Sequence, residues 1–321
     1  MVIWIIVLIV IGLLCLLYFG GGHMGLRLAI RRGPEINIDD RESLAGTAWG
    51  LYYEPIMEGI RFIRSFPYED VYISSFDGLK LHARLVINPE AKGTVCMFHG
   101  YRTHAEIDFS AAAHIYYEAG LNMLLIDQRA SGESEGDYIG FGVLESRDAH
   151  DWAWYVCDRF GPQHNIILGG LSMGASTVLM AAGLHLPENV KGMVADSAFS
   201  SPKDIILNTI QNQYHLKGFL GKLITAGIDF WTRRKAGYAL DAQTVFDTMP
   251  ENTIPILFAH GEADSRVQVA MTQKAAALCR TEKEVLISPG AEHGTGFIVD
   301  FERYSKTLDQ FLRKANKTLQ D

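Results

Sequence analysis

Ser172 has the sequence neighbours that a nucleophilic serine needs. It is the centre of GLSMG (170–174), which follows the apolar run NIIL directly and precedes the helix-forming run ASTVLMAA. A serine at a sharp turn between strand and helix exposes its hydroxyl to a general base, and the helix N-terminus favours the negative charge that develops there. The pattern therefore predicts that Ser172 Oγ attacks an electrophilic carbon.

A second copy of the Gly-x-Ser-x-Gly pattern occurs at residues 132–136, so the pattern alone is weak. There Ser134 lies between Glu133 and Glu135, whose charges oppose an alkoxide, and the following residues are loop-like. We interpret this copy as part of a structural loop and assign the nucleophile to Ser172.

A general base and an acid that orients it follow later in the chain. His293 comes after the β-rich run EVLIS and the turn Pro289-Gly290, whereas the other histidines lack a comparable setting. Asp264 lies in HGEADSRV (260–267), after the run IPILFA, and Glu262 in the same segment is the alternative acid. The order Ser172, Asp264, His293 is the one expected for a serine at a strand-to-helix turn of this kind.

Two backbone N–H groups are needed to hold the oxyanion of such a reaction. One comes from the residue after the nucleophile, Met173, and the other from an earlier loop. HGYR (99–102) follows the run TVCMF, so Tyr101 is the candidate for the second donor. His99 is interpreted as a structural residue of that loop.

Short β-rich runs alternate with helical stretches from about residue 68 onward, and several of the runs are continuously apolar. Such runs are typical of parallel strands buried on both faces. The sequence therefore predicts an α/β fold with a doubly wound, mostly parallel eight-stranded sheet and an antiparallel start. The expected strands are 70–74, 80–87, 93–98, 122–127, 165–169, 191–195, 254–259 and 284–288, and the expected helices are 105–119, 144–160, 174–184 and 269–280.

One stretch of nearly sixty residues, between Asp196 and Ile254, has no clear strand. Its helical pattern over residues 216–239 predicts a small helical cap, approximately 197–250, over the site. Its apolar residues Phe199, Phe219 and Trp231 are candidates for an acyl pocket. A plain structural excursion is the alternative.

The first 26 residues are predicted to be a transmembrane anchor. Residues 1–22 carry no charged side chain, which suffices to span a bilayer core of about 30 Å. A secretory signal peptide is the alternative, although no basic residue precedes the apolar run. Arg27, Arg31 and Arg32 follow, so the main domain is expected on the cytoplasmic side of the cell membrane. Residues 27–67 are expected to be a helical juxtamembrane segment, and residues 68–321 the main domain.

Composition excludes several other classes of protein. The formal charge of −8 comes without a basic cluster, which argues against a nucleic-acid partner. None of the four cysteines forms a CxxC pair, and no Gly-rich phosphate loop is present. The sequence therefore predicts no cofactor and no metal.

With these residues in place, the chain resembles the α/β-hydrolase superfamily, and within it bacterial membrane-anchored serine hydrolases related to serine aminopeptidase and to BEM46-like proteins. The resemblance covers about residue 70 to the C-terminus and rests on SFDGLKLHARL, FHGYR, DQRASGESEG, LGGLSMGAS, VADSAFSSP, ILFAHGEADSRV and SPGAEHG. It implies catalytic roles for Ser172, Asp264 and His293, with Tyr101 and Met173 at the oxyanion positions. Two departures are Ala130-Ser131, where relatives usually have a histidine, and Glu292, which replaces a common glycine.

The leading functional hypothesis is hydrolysis of a small-molecule carboxylic ester through an acyl-enzyme on Ser172. A peptidase or amidase would use the same residues but needs a carboxylate for the substrate amine, and a lipid or thioester hydrolase is a further alternative. A membrane-tethered binding protein is the non-enzymatic alternative, and it has no need of the three side chains together.

Overall fold

The computed structural model describes residues 1–34, 36–37, 40–44 and 48–317. Eight strands form one sheet in the order β1-β2-β4-β3-β5-β6-β7-β8. Strands β1 and β2 pair antiparallel, β2 pairs antiparallel with β4, and every pairing from β3 onward is parallel. The strands are β1 (Tyr68–Ser74), β2 (Lys80–Val86), β3 (Gly93–Phe98), β4 (Leu121–Ile126), β5 (Asn165–Leu171), β6 (Val190–Asp196), β7 (Ile256–Gly261) and β8 (Lys283–Ser288).

The helices surround this sheet and extend from it at the N-terminus. The α-helices are α1 (Val2–Ile30), α2 (Arg41–Leu44), α3 (Tyr53–Arg64), α4 (Ala105–Asp108), α5 (Ala113–Glu118), α6 (Glu145–Phe160), α7 (Met173–Ala181), α8 (Pro202–Asn212), α9 (Gly218–Lys235), α10 (Val245–Thr248), α11 (Val269–Leu278), α12 (Gly296–Val299) and α13 (Phe301–Ala315). Short 3₁₀ turns lie at Ala48–Tyr52, Ser110–Ala112 and Met249–Glu251.

The predicted sheet architecture is confirmed. Every residue of β3, β4, β5 and β7 is buried, as expected for parallel strands covered by helices on both faces. Each of the eight predicted strands is present, and no strand end is displaced by more than two residues. Because parallel strands run in one direction, their carboxyl ends meet at one edge, where β3, β5, β7 and β8 each deliver a loop.

The prediction of a single helix over residues 105–119 is wrong. The segment divides into α4, a 3₁₀ turn and α5. The Ser110 hydroxyl donates a hydrogen bond to the carbonyl of Ile107. Helix α3 packs at this break so closely that a Cβ on Gly59 would lie 2.0 Å from the Ser110 carbonyl oxygen. The tertiary contact therefore replaces a helical turn that local sequence favours.

Helix α1 is continuous for 29 residues and is apolar enough to cross a membrane. Its first 14 residues contain no buried side chain, whereas Gly22, Leu26 and Ile30 near its end are buried in the domain. We call residues 2–15 of α1 its free half and residues 16–30 its packed half.

The packed half of α1 crosses α9 at a glycine-to-glycine contact. A Cβ on Gly22 would lie 2.3 Å from the carbonyl carbon of Gly227, and a Cβ on Gly227 would lie 2.0 Å from the carbonyl oxygen of Tyr18. Trp231 Nε1 donates a 2.8 Å hydrogen bond to the Phe19 carbonyl. Only residues without side chains allow two helix backbones to approach this closely.

The chain after α1 is fixed to the loop that follows β4. Arg31 forms an isolated antiparallel bridge with Tyr138, and the Ile139 N–H donates to the Ile30 carbonyl at 2.7 Å. The Arg32 guanidinium donates to the carbonyls of Gly132 and Ser134. These contacts hold the end of α1 in one position relative to the sheet.

Residues 202–235 form the two long helices of the segment between β6 and β7. Helix α8 begins at Pro202, and the Ser201 hydroxyl accepts a hydrogen bond from the Asp204 N–H as its N-cap. Helix α9 follows and packs on both α8 and α1. We call α8 and α9 the cap helices after the predicted cap, whose position over the site stays a prediction.

We expect Gly22→Leu to destabilise the protein by about 1–3 kcal/mol, because a side chain there must push the two backbones apart. Gly12→Leu is the matched control, since nothing lies within 4 Å of a Cβ at Gly12. Thermal unfolding in mild detergent checks the difference. Equal midpoints for the two variants would contradict the tight crossing.

Candidate active site

Ser172 occupies a strained turn between β5 and α7. Its backbone has φ 55° and ψ −110°, a conformation that residues other than glycine rarely adopt. Glycines on both sides make the turn possible. A Cβ on Gly170 would lie 2.2 Å from the carbonyl carbon of Gly174, and a Cβ on Gly174 would lie 1.8 Å from the Phe98 carbonyl oxygen.

Neighbouring strand β6 secures this turn. The Ser172 N–H donates a 2.8 Å hydrogen bond to the carbonyl of Asp196, the last residue of β6. The Asp196 carboxylate in turn accepts a 2.6 Å hydrogen bond from the buried Tyr304 hydroxyl of α13. The serine is thus held by the sheet and by a helix from the far end of the chain.

His293 and Asp264 lie beside Ser172. His293 Nε2 is 2.9 Å from Ser172 Oγ, and His293 Nδ1 is 2.7 Å from Asp264 Oδ2. The loops after β5, β7 and β8 supply the three side chains at one edge of the sheet. This geometry lets the imidazole accept the serine proton while the carboxylate binds the opposite ring nitrogen.

The side chain of Asp264 is inaccessible to solvent, and it has hydrogen-bond partners besides His293. Its Oδ1 accepts the N–H groups of Arg266 and Val267 at 2.9 and 2.8 Å. Its Oδ2 lies 3.1 Å from His260 Nε2 as well as near His293. Burial by itself would raise the pKa of Asp264, but the hydrogen bonds from His260 and His293 hold this pKa well below its usual range. The carboxylate therefore stays ionised.

His260 is a residue of the site that sequence reasoning missed. Its Nε2 faces two acceptors, the Val267 carbonyl at 3.0 Å and the Asp264 carboxylate, so Nε2 carries the proton. Its Nδ1 lies 2.8 Å from the Thr272 hydroxyl. A sequence signal was available, because His260 directly follows the apolar run ILFA and lies four residues before Asp264. The alternative acid, Glu262, is exposed.

The loop after β3 approaches Ser172 through Gly100. A Cβ on Gly100 would lie 3.4 Å from the Ser172 Cβ and 3.3 Å from Asp108 Oδ2. The Gly100 N–H donates to Asp108 Oδ2 at 2.5 Å, and the Thr103 hydroxyl donates to Asp108 Oδ1 at 2.8 Å. Asp108, a second residue that sequence reasoning missed, therefore fixes the conformation of this loop.

The same loop is bonded to the end of α1. The Tyr101 hydroxyl donates to the Ala29 carbonyl at 2.9 Å, and Arg102 Nη2 donates to the carbonyls of Leu28 and Arg31 at 2.9 and 3.0 Å. Carbonyls at a helix C-terminus lack intrahelical donors, so these bonds also cap α1.

Two other residues singled out in the sequence have structural contacts. His99 Nδ1 donates to the Gly100 carbonyl at 2.7 Å, and its Nε2 accepts the Gln128 N–H at 3.1 Å. Buried Ser134 donates to the Asp127 carbonyl and accepts the His82 N–H. Both residues serve to order loops.

The acyl-pocket hypothesis is not supported for two of its three residues. Phe219 is 64% exposed, and Trp231 packs against α1. Phe199 is buried, and its ring centroid lies 6.2 Å from that of Phe141. Phe141 in turn packs against Tyr101 at 5.1 Å.

A family model described as the alpha/beta hydrolase fold matches residues 93–227 of this chain. The uncharacterised protein YqkD of Bacillus subtilis is 24% identical over 76% of this chain and 79% of its own length. The alpha/beta hydrolase domain-containing protein WAV2 of Arabidopsis thaliana is 24% identical over 82% of this chain and 87% of its own length.

Among solved structures, the esterase Pf2001 of Pyrococcus furiosus superposes with a TM-score of 0.64 at 19% identity, covering 89% of this chain and 97% of that one. The predicted fold and the predicted resemblance to the α/β-hydrolase superfamily are confirmed. At this level of identity the superposition shows the fold alone.

Asp108 yields a prediction for stability as a function of pH. Its side chain lines a narrow cavity with Trp49 and Phe109. Burial raises the pKa of Asp108 from 3.8 to about 7, against the opposing hydrogen bonds from Gly100 and Thr103. The folded protein thus binds this proton more tightly than the unfolded chain does. The resulting stabilisation is complete below the unfolded pKa and is lost as pH rises toward the folded one.

We therefore expect the unfolding midpoint of the unmodified protein to fall more steeply between about pH 5 and 7.5 than that of Asp108→Asn, which cannot lose the proton. Asp158→Asn is the control, because Asp158 is exposed. Thermal unfolding over this range gives both slopes. A slope unchanged in Asp108→Asn would show that Asp108 titrates at an ordinary pH.

Proposed function

With the α/β-hydrolase fold of this chain as the premise, we propose that it is a serine hydrolase that cleaves carboxylic esters through an acyl-enzyme on Ser172. The observation that carries the proposal is the pair of hydrogen-bond distances joining Ser172, His293 and Asp264, 2.9 and 2.7 Å. These residues are far apart in the chain, and a binding scaffold has no physical need to bring them together at a strained turn.

The mechanism begins with transfer of the Ser172 proton to His293 Nε2 as Oγ attacks the acyl carbon. Collapse of the tetrahedral intermediate breaks the ester bond, and the imidazolium gives its proton to the leaving alcohol. Water then attacks the acyl-enzyme, with His293 again as the base, and releases the carboxylic acid. Asp264 stabilises the imidazolium in both halves.

The oxyanion is held by the N–H groups of Met173 and Tyr101. Met173 is the first residue of α7, so its N–H has no partner within that helix. In the neighbouring loop the Gly100 N–H is already bonded to Asp108, which leaves the next amide, that of Tyr101, as the donor. Loss of one such donor typically costs about 10²–10³ in rate.

Contacts in the cap favour an ester over a peptide substrate. An aminopeptidase needs a carboxylate that is available to the substrate amine. The four acidic residues within 197–250 are bonded to other groups: Asp204 to Ser200, Asp229 to Arg233 and Leu240, Asp241 to Lys203 and Arg233, and Asp247 to Thr244. Lipid esters and thioesters need no such carboxylate and remain within the proposed chemistry.

We also propose that α1 is retained as a single-pass anchor, with the domain on the cytoplasmic side. The contacts of Tyr18, Gly22 and Ile30 with the domain support retention, because cleavage at the small residues Gly20–Gly22 would remove part of this packing. Arg27, Arg31 and Arg32 at the domain end of α1 support the cytoplasmic orientation.

We expect a fluorophosphonate probe to label the purified protein and Ser172→Ala to abolish labelling. Turnover of p-nitrophenyl esters should fall by about 10³-fold or more, because no other group can form the acyl-enzyme. Amino-acid p-nitroanilides assayed in parallel should be poor substrates, and acyl thioesters complete the panel.

Ser134→Ala is the control for that experiment, since Ser134 occupies the second Gly-x-Ser-x-Gly and is buried. It should keep the label. Labelling that persists in Ser172→Ala, or that disappears in Ser134→Ala alone, would place the nucleophile elsewhere.

Orientation is tested by protease digestion of sealed vesicles prepared from expressing cells. We expect the domain to be cleaved in inside-out vesicles and protected in right-side-out vesicles, because basic residues stay on the cytoplasmic side. Detergent lysis is the control for protease activity. The reverse pattern would place the domain outside.

A further inference from the structure

We propose that cap helix α9 docks on the surface of an anionic lipid bilayer, with its face of Phe219, Leu223, Ala226 and Phe230 in the membrane interface. This inference goes beyond ester hydrolysis, but it rests on the proposed anchoring of α1. We call these four residues the docking face.

The depth of α1 in a bilayer sets the level of α9. At 1.5 Å per residue, Val2 to Phe19 spans about 27 Å, close to the thickness of a hydrocarbon core. Tyr18 and Phe19 then lie at the interface, where aromatic side chains are enriched. Because Gly227 contacts Tyr18 and Trp231 bonds to Phe19, α9 lies at the same level.

Contacts along α1 show which side of α9 is directed toward the membrane. The Phe230 ring lies 5.5 Å from Phe19 and 6.0 Å from Tyr18, at the bilayer end of the packed half. Ile228 instead contacts Gly25, nearer the domain. The docking face has i, i+4, i+7 and i+11 spacing, so its four residues share the Phe230 side of the helix.

The start of α9 and the turn before it expose large apolar side chains. On the docking face Phe219 is 64% exposed, and Leu220 beside it is 42% exposed. Tyr214 and Leu216, in the turn between the cap helices, are 64% and 38% exposed. Large exposed apolar side chains this close together in the chain favour a binding surface.

The charge around α9 fits anionic lipid headgroups and is opposite to that of the whole chain. Residues 217–235 carry five basic side chains and one acidic one, in a chain of formal charge −8. The exposed residues Lys222 and Arg234 flank the docking face, and the Arg234 guanidinium lies 5.0 Å from the Phe230 ring centroid. Asp229, the single acid, is paired with Arg233. An amphipathic helix with basic flanks is typical of a helix that lies in a membrane interface.

The test uses the full chain in vesicles containing about one third phosphatidylglycerol in phosphatidylcholine. A polarity-sensitive fluorophore is attached to Phe219→Cys in a Cys15→Ser, Cys157→Ser background, in which Cys96 and Cys279 are buried. Lipids that carry a quencher near the headgroup report contact with the bilayer. We expect quenching at position 219 at least threefold greater than at the control Val285→Cys, because Val285 is 48% exposed but lies on β8, an edge strand of the sheet, and on neither α1 nor α9.

Labelling the native Cys15 separates failure of the docking from failure of the anchor. Cys15 lies in the free half of α1 and is exposed. Quenching at Cys15 with none above control at 219 would overturn the docking while leaving the anchor intact. Absence of quenching at both positions would overturn both. The emission of the fluorophore at position 219 could instead change with protein concentration and not with lipid. That result would identify a second copy of this chain as the occupant of the docking face, which also overturns the proposal.

A separate experiment tests whether basic residues of α9 recognise anionic headgroups. We expect quenching at 219 to be weaker in vesicles of phosphatidylcholine alone, and Lys222→Glu with Arg234→Glu to remove the gain from phosphatidylglycerol. Arg280→Glu with Lys306→Glu is the matched control, since both are exposed basic residues on other helices or turns. A gain that survives the first pair would exclude recognition of anionic headgroups by α9.

Discussion

The constraint on which the site depends is the backbone turn at Ser172. A side-chain-bearing residue at φ 55° and ψ −110° costs on the order of 1–3 kcal/mol, so surrounding contacts must hold it there. The hydrogen bond from the Ser172 N–H to the Asp196 carbonyl and the close approach of Gly174 to Phe98 do so. Without these contacts the Ser172 hydroxyl would not project beyond the sheet edge. His293 would then lack its hydrogen bond to Ser172 Oγ.

Much of this could be predicted from sequence because its signals are local. Continuous apolar runs identify parallel strands, and GLSMG between a strand and a helix identifies the turn. Once the strands are ordered, the carboxyl ends that carry Ser172, Asp264 and His293 must share an edge. The pairing of these side chains is therefore a consequence of topology, although their roles in a reaction remain a proposal.

Other features were beyond sequence reasoning because they depend on contacts between distant segments. The Asp108 carboxylate accepts a hydrogen bond from Gly100, and Asp108 lies at the end of a helix that is shorter than the sequence predicts. The residues next to Asp108 in the sequence do not indicate this contact. Tyr101 and Arg102 bond to backbone carbonyls of α1, and every residue type has such a carbonyl, so the sequence cannot indicate these contacts. The break at Ser110 arises from α3, since helix propensity alone would continue the helix.

The crossing of Gly22 and Gly227 has a consequence for how the chain is completed during synthesis. The N-terminal helix is made first, but its packing partner follows some two hundred residues later, a contact of very high sequence separation. Until α9 has been translated, the small-residue side of the helix remains uncovered. Nascent chains interrupted before that point therefore expose this helix surface, which chaperones or proteases can recognise.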